Sequence, residues 1–452
     1  MDFNQKQVIV VGLAKSGLSA VKVLHEIGAK VTVTDIKAKE SLMDILDEMT
    51  PYIVDAIVGR HPEDLTKFEI AVLSPGVPTD LPFIQKMKDL GISVIGEIEL
   101  AYQLCKGSFV GITGTNGKTT TTALTGEIFA HSNKPYYVVG NIGLPAVSKA
   151  LDATKETTMV TEISSFQLET VSEFRAKVAA VLNLTPDHLN RHKTMENYIA
   201  AKARIFENQH ATDALVLNYD DKPTRDLAKL SKGKVHYFSR KKVEGMSAYI
   251  QDQHIVLDCF GEKEPLCRLD ELFIFGRHNE ENALAAALIC RLAGIKPNEI
   301  VQGLKSFKGV EHRIEYTATI DNRIFYNDSK GTNPDSTICA IEAMVRPTIL
   351  IAGGYNKDSD FAPIFDVFKG KVKSLILMGE TKEIFAETAK SKGFNQIYFA
   401  ENMEEAVSLS YAQSEQGDAI LLSPACASWD MYQNFEQRGE HFKKCVKNLI
   451  KG

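Results

Sequence analysis

At 452 residues the chain is too long for one compact core, and about two to four domains are expected. Hydrophobic residues at 44% and charged residues at 24% fit a soluble globular protein able to bury several cores. A formal net charge of -6 argues against a protein that coats nucleic acid, which would be basic; it leaves small phosphorylated ligands open, because local groups hold those. Seven cysteines without a Cys-x-x-Cys pair favour neither a disulfide framework nor a zinc knuckle. Residues 1–7 lack the layout of a signal peptide, and no apolar run approaches the roughly 20 residues that cross a bilayer. The expectation is a reduced cytoplasmic protein with neither nucleic acid nor membrane as partner.

Short apolar runs alternate with helical patterning from end to end. Strands are predicted at 8–11, 31–34, 70–73 and 109–112, the last followed by a helix over 119–130 broken only by Gly126. Further strands are predicted at 158–162, 178–182, 214–217, 324–326, 348–352, 374–378 and 419–422, with an alanine-rich helix over 283–292. Continuous apolar strands separated by helices imply parallel sheets covered on both faces, so the fold class is α/β. Breaks near 96–107 and 306–311 divide the chain into three domains: a dinucleotide-binding-like domain 1–98, a central P-loop ATP-binding domain 99–309, and a Rossmann-like domain 310–452.

The first strand leads into Gly12-x-Ala14-x-x-Gly17, and the second ends at Asp35. With alanine at its second position this is an imperfect dinucleotide fingerprint, and a nicotinamide-dependent oxidoreductase is its rival reading. Ser74-Pro75-Gly76-Val77-Pro78 is a second backbone turn able to approach a diphosphate. The stronger signal is Gly111-Ile112-Thr113-Gly114-Thr115-Asn116-Gly117-Lys118-Thr119-Thr120, between a strand and a helix. There backbone N–H groups and the helix N-terminus cradle phosphate oxygens, Lys118 reaches the terminal phosphates, and the Thr119 hydroxyl ligates magnesium. The loop departs from the general pattern in having Ile112 where a glycine is usual.

Magnesium takes oxygen ligands. Glu162 ends a predicted strand, where α/β sheets place their ligands. The segment from Asn183 to His192 is dense in charged and imidazole groups but matches no zinc spacing. Nothing local distinguishes Lys202 from a surface lysine. Asn279 and Asn282 precede the alanine-rich helix, where capping is the simple reading. In the last third, Arg313 offers a planar fork to phosphate and Lys330 a point charge.

Gly-Thr-Asn-Gly-Lys-Thr-Thr at 114–120 resembles the ATP loop of the Mur ligases and folylpolyglutamate synthases more than that of GTPases or kinases. The runs Ser423-Pro424-Ala425-Cys426-Ala427-Ser428-Trp429-Asp430 and Asn434-Phe435-Glu436-Gln437-Arg438-Gly439 resemble the D-glutamate-adding branch of the Mur ligases. Folylpolyglutamate synthases lack the first domain, and the Asp-Asn-Pro-Arg motif of the branch adding the third residue is missing. The resemblance implies an ATP-dependent ligase coupling D-glutamate to UDP-N-acetylmuramoyl-L-alanine through an acyl phosphate, as a monomer. L-alanine addition is the alternative within the family. It implies ATP contacts at Gly114, Thr115, Asn116, Gly117, Lys118, Thr119, Thr120, Asn279, Asn282, Arg313 and Asp328, with Lys118, His188, Lys202 and Lys330 catalytic. Two Mg2+ would be held by Thr119, Glu162, His188 and Lys202 as its carbamate. The UDP substrate would meet Gly12, Ala14, Ser16, Asp35, Ser74, Gly76 and Asn141, and the amino acid Thr332, Lys357, Ser428 and Phe435.

Overall fold

The computed structural model describes residues 1–355 and 359–449, and Lys357 lies outside them. The chain divides into two compact units, Met1–Leu272 with Glu281–Phe307, and Phe273–Glu280 with Lys308–Gly452. Among the described residues there are three sheets, two in the first unit and one in the second.

The first sheet has five parallel strands in the spatial order Asp55–Val58, Lys30–Asp35, Gln7–Val11, Ile70–Leu73, Ser93–Gly96. Val8–Val11 and Ile70–Leu73 are buried along their length, which is why they read as unbroken apolar runs, and Lys30–Asp35 buries Thr32 and Thr34 along with its valines. The second sheet runs from Tyr136–Gly140 through Thr158–Glu162, Ser108–Thr113, Ala176–Val181, Ala214–Asn218 and Lys234–Ser239 to Met246–Gln251, all parallel. The chain places Thr158–Glu162 on one side of Ser108–Thr113 and then crosses to the other with Ala176–Val181. Strand order therefore reverses over Ser108–Thr113, which makes its carboxyl end the crevice where an open α/β sheet binds ligands.

The helix Glu97–Leu104 joins these two sheets, and the expected boundary at 98/99 falls inside it. Its first turn carries two buried carboxylates. Glu97 accepts the Val147 N–H at 2.7 Å, and Glu99 accepts those of Ser172 and Phe174 at 2.8 and 3.0 Å. Its apolar face adds Ile98, Leu100 and Ala101 to a core continuous with both sheets, and Tyr102 packs edge-on against Phe174 at 5.7 Å.

In the second unit the spatial order is Glu315–Ile320, Arg323–Asn327, Ala419–Leu422, Thr348–Ala352, Val372–Leu377, Ile397–Phe399, parallel after the first pair. Phe361, Phe365 and Phe385 pack one face, Met403, Val407 and Phe442 the other.

The all-parallel expectation is corrected in two places. Met246–Gln251, His254–Leu257 and Glu264–Arg268 form an antiparallel meander, as do Glu315–Ile320 and Arg323–Asn327. The hairpins turn on Asp252-Gln253 and Asp321-Asn322, all four residues with φ between 48° and 63°. Such two-residue loops are expected to contain glycine, and these do not, so the turn signal is absent from the sequence. A second correction concerns the alanine-rich helix, which spans Arg277–Leu292. Asn279 and Asn282 are inside it. No described cysteine is disulfide-bonded, and no described helix is long and apolar enough to cross a membrane.

Candidate active site

The glycine loop leaves the buried strand Ser108–Thr113 and opens the helix Lys118–Ala130. Gly117 sits at the turn into the helix with φ +82°, and a Cβ there would lie 2.4 Å from Asn282 Oδ1, so only glycine fits. Asn183 acts as a second backbone against this loop: its Oδ1 accepts the Asn116 N–H at 2.8 Å and its Nδ2 donates to the Asn116 carbonyl at 3.1 Å. The Thr115 hydroxyl bonds the Thr185 carbonyl and the Tyr198 hydroxyl, each at 3.0 Å. Thr119 and Thr120 lie in the first helical turn, half-buried and buried. The Asn282 side chain accepts from the Thr121 hydroxyl at 3.1 Å, behind the loop.

Lys118 folds back over the loop, donating to the carbonyls of Gly114 at 2.9 Å and Thr115 at 2.7 Å. Lys202 lies in the helix Met195–Ala203 and is 2% exposed. Burial corrects the surface reading of this residue. Its Nζ donates to Gly114 O at 2.8 Å and lies 4.7 Å from the centre of the Tyr198 ring. Burial, and after it the charge of Lys118, pushes its pKa well below that of an ordinary lysine. The shift loosens its hold on the proton, the change by which burial makes a lysine more reactive as a base or nucleophile.

Glu162 ends the strand next to the loop and is buried. Asn141 holds it, donating Nδ2 to Oε1 at 2.8 Å and its own N–H to the Glu162 carbonyl at 2.9 Å. Oε2 is buried with no hydrogen-bond partner among the described residues. An orphaned buried acceptor costs about 1–3 kcal/mol, and a bound cation removes that cost. This donor set fits magnesium. His188, on the loop after the other flanking strand, takes a left-handed backbone with φ +53°. Its imidazole is exposed, 3.5 Å from Asp187 and packed on the Phe166 ring at 4.8 Å. His192 is the buried histidine of the segment, bonded to Ser165 at 3.0 Å.

In the first sheet Asp35 is fully engaged: Oδ2 accepts the Leu13 N–H at 2.8 Å and Oδ1 the Lys37 N–H at 2.9 Å. It shapes the turn after Gly12. Ser74 donates its hydroxyl to Gly12 O at 2.7 Å, joining the two turns, and Gly76 is exposed at the tip of the second. Ala14 takes an ordinary extended conformation ahead of Lys15–Glu26, whereas a Cβ on Gly17 would lie 2.3 Å from Gly12 O. The fingerprint therefore loses its second glycine but keeps the one that lets helix and strand approach. Ser16 lies half-buried in the first helical turn, and Lys15 reaches Gly143 O at 3.1 Å, beyond Asn141.

The second unit has its own cluster. Asp328, fully buried after Arg323–Asn327, accepts the Ser423 hydroxyl at 2.7 Å, with the Arg313 guanidinium 3.7 Å away. Burial raises its pKa to about 6, against the opposing pull of Arg313. Arg438 is buried and donates to Ser329, Cys426 and Ala427 oxygens, without an ion-pair partner among the described residues. Ser329 in turn donates to the Phe435 carbonyl at 2.8 Å. Lys330 Nζ lies 5.0 Å from the Phe435 ring, and the Thr332 N–H bonds the Lys330 carbonyl. Ser428 is buried, its carbonyl accepting from Met431 and Tyr432. A cavity lined by Gly353, Gly354, Asp430, Tyr432 and Arg438 opens beside it. In the Phe273–Glu280 segment Asn279 donates to Phe275 O at 2.9 Å, and burial lowers the pKa of His278 to about 4.

Sequence reasoning missed Asn183, Tyr198 and Arg438 as site-shaping residues. Tyr198 and Lys202 stand four apart on one helix face, a spacing that pairs them without revealing that the face is buried.

Three family models match the chain: Mur ligase MurD-like, N-terminal domain, over residues 6–96; Mur ligase middle domain over 112–290; and Mur ligase, glutamate ligase domain, over 312–426. A relative from Clostridioides difficile (strain 630), named UDP-N-acetylmuramoylalanine–D-glutamate ligase, is 51% identical over 451 residues, covering 99% of this chain and 100% of its own. One of the same name from Alkaliphilus metalliredigens (strain QYMF) is 49% identical, covering 99% of each chain. The solved structure of MurF ligase from Thermotoga maritima in complex with ADP shares the fold, with a TM-score of 0.64 at 16% identity over 99% of both chains. MurC from the same organism superposes with a TM-score of 0.61 at 18% identity, over 98% of this chain and 99% of its own. From its first sheet to its last, this chain belongs to the Mur ligase family.

Proposed function

We propose that the chain is an ATP-dependent, ADP-forming ligase that joins the amine of D-glutamate to the carboxylate of UDP-N-acetylmuramoyl-L-alanine. The observation that carries the reading is the corner where the glycine loop, Lys118 and Lys202 meet beside the orphaned oxygen of Glu162. Identity of 51% over nearly the whole chain to a ligase of that name supports the choice of substrates.

Carboxylate and amine do not condense unaided in water. A substrate carboxylate oxygen attacks the γ-phosphorus, ADP leaves, and an acyl phosphate remains. The glutamate amine attacks the acyl carbon, gives up a proton, and phosphate departs, leaving an amide. Charge accumulates on phosphoryl oxygens throughout, so preorganised donors carry most of the rate. Residues 114–120 cradle the triphosphate, and Lys118 swings from its loop carbonyls to the transferring group. By the family likeness, Asn279 and Asn282 serve the nucleoside, and Arg313, Asp328 and Lys330 serve ATP as well. Thr119, Glu162, His188 and the Lys202 carbamate would hold two Mg2+, which supply charge neutralisation when bound. Gly12, Ala14, Ser16, Asp35, Ser74, Gly76 and Asn141 serve the UDP substrate, and Thr332, Lys357, Ser428 and Phe435 the amino acid. The enzyme works as a monomer in the cytoplasm.

The test is phosphate release from ATP with UDP-N-acetylmuramoyl-L-alanine plus D-glutamate, L-glutamate, L-alanine or nothing. Release that depends on D-glutamate is expected. Release driven equally by L-alanine, or none in any arm, overturns the reading.

A further inference from the structure

Arg191 lies in the short helix Leu189–His192, three residues after His188. Its guanidinium joins two parts of the first unit. Nε and Nη2 meet the two oxygens of Glu169 at 3.2 and 2.6 Å. Nη1 donates to the Pro75 carbonyl at 3.3 Å, and Nη2 also to the Val77 carbonyl at 3.2 Å. Those carbonyls belong to the turn closed by the Val77 N–H on Ser74 O, the same turn that Ser74 fastens to Gly12. The central carbon of the guanidinium lies over the Phe166 ring, 4.3 Å from its centre. That ring also packs on His188 at 4.8 Å and on His192 at 5.6 Å.

The geometry uses what only arginine provides. A planar fork can hold a carboxylate side-on, reach two further carbonyls and still stack on a ring, whereas a lysine presents one compact charge. The side chain is 18% exposed and Glu169 16%, so these bonds are largely shielded from water. The turn 74–77 and the loop bearing His188 are thus gripped by one rigid group, with Phe166 transmitting its position to the imidazole. Neither Pro75 nor Val77 can shift without pulling on Arg191, and neither can His188 without moving the ring beneath it.

Resting on the functional reading above, we infer that Arg191 is a positioning residue that couples the two nucleotide sites. Seating the UDP-linked substrate against the 74–77 turn steadies the His188 loop for ATP and its metal. By thermodynamic reciprocity ATP tightens the grip on the UDP-linked substrate to the same degree. The guanidinium's bonds go to Glu169, Pro75 and Val77, so its loss weakens the cooperation between sites and leaves each separate site able to bind.

Calorimetry tests this on the full chain. The affinity for UDP-N-acetylmuramoyl-L-alanine is measured with and without a saturating non-hydrolysable ATP analogue and Mg2+, in the parent, Arg191→Lys and Phe166→Leu. The expected enhancement in the parent is on the order of tenfold, within the usual range of coupling between sites. In Arg191→Lys it falls to near unity, while affinity for the analogue alone stays within about twofold of the parent value. Phe166→Leu leaves the carbonyl contacts in place but removes the ring under His188, and it loses the enhancement too; it serves as the readout if Arg191→Lys does not fold. A parent that binds both ligands without cooperation, or variants that keep the full enhancement, overturn the inference alone. A parent that binds neither ligand overturns the functional reading as well.

Discussion

Lys118 and Lys202 donate to one acceptor, the carbonyl oxygen of Gly114, at 2.9 and 2.8 Å. Two ammonium groups on one carbonyl repel each other, and the more deeply buried one holds its proton less tightly. Burial and the Lys118 charge together depress the pKa of Lys202. Only a neutral amine takes up carbon dioxide, forming the N–C bond and releasing a proton. With 13C-labelled bicarbonate, a carbamate carbonyl resonance should grow as pH rises and be missing from Lys202→Ala. In Lys118→Met the Lys202 pKa rises, so the resonance should set in at higher pH. A parent spectrum without that resonance at any pH excludes the carbamate.

Glu162 keeps one oxygen on Asn141 and turns the other to an unpartnered buried position. Groups that orient a metal ligand commonly matter about 10–100-fold in metal affinity. Asn141→Ala should therefore raise the Mg2+ concentration needed for half-maximal rate by a factor in that range. Rate against free Mg2+ is the measurement. If Asn141 serves the UDP-linked substrate alone, the Mg2+ curve stays put and only the substrate KM moves.

Lys118→Ala should lower turnover by at least about 10²–10³, the usual cost of deleting one preorganised electrostatic group. The carbonyls of Gly114 and Thr115 that it covers keep their places, because Asn183 and Thr185 hold the loop from the other side. Phosphate release under saturating substrates gives the comparison. Turnover equal to the parent's would remove Lys118 from the mechanism.

Glu97 is buried with Oε2 unpartnered, and burial raises its pKa from 4.5 to about 7 despite the Val147 and Ala146 N–H groups. A carboxyl whose folded pKa is raised binds its proton more tightly when folded. Its contribution to stability is complete below about pH 4.5 and is lost as pH rises through about 7. At 1.36 kcal/mol per unit the swing is of order 3 kcal/mol. Glu97→Gln removes the titration, so its unfolding midpoint relative to the parent should climb between those two pH values. A difference that does not change with pH would mean that Glu97 stays ionised.

Much of this protein is written in local sequence. Buried parallel strands such as Ile70–Leu73 and Thr348–Ala352 are continuous apolar runs, and they were legible to the residue because burial on both faces removes the polar alternation. The glycine loop was legible because φ and close approach limit what can stand at Gly117. The two glycine-free hairpins were hidden, since Asp252 and Asn322 carry left-handed turns that sequence assigns to glycine. What only the tertiary structure decided is burial and partnership. Lys202 reads as a surface lysine until packing against Tyr198 and Gly114 strips its water. Asn141 reads as a loop residue until its amide meets Glu162, and Arg191 as one more cation until its fork spans Glu169, Pro75 and Val77. Apart from Tyr198, four positions before Lys202, the neighbours that give these residues their roles lie between 21 and 116 positions away in the chain, a separation that no local pattern encodes.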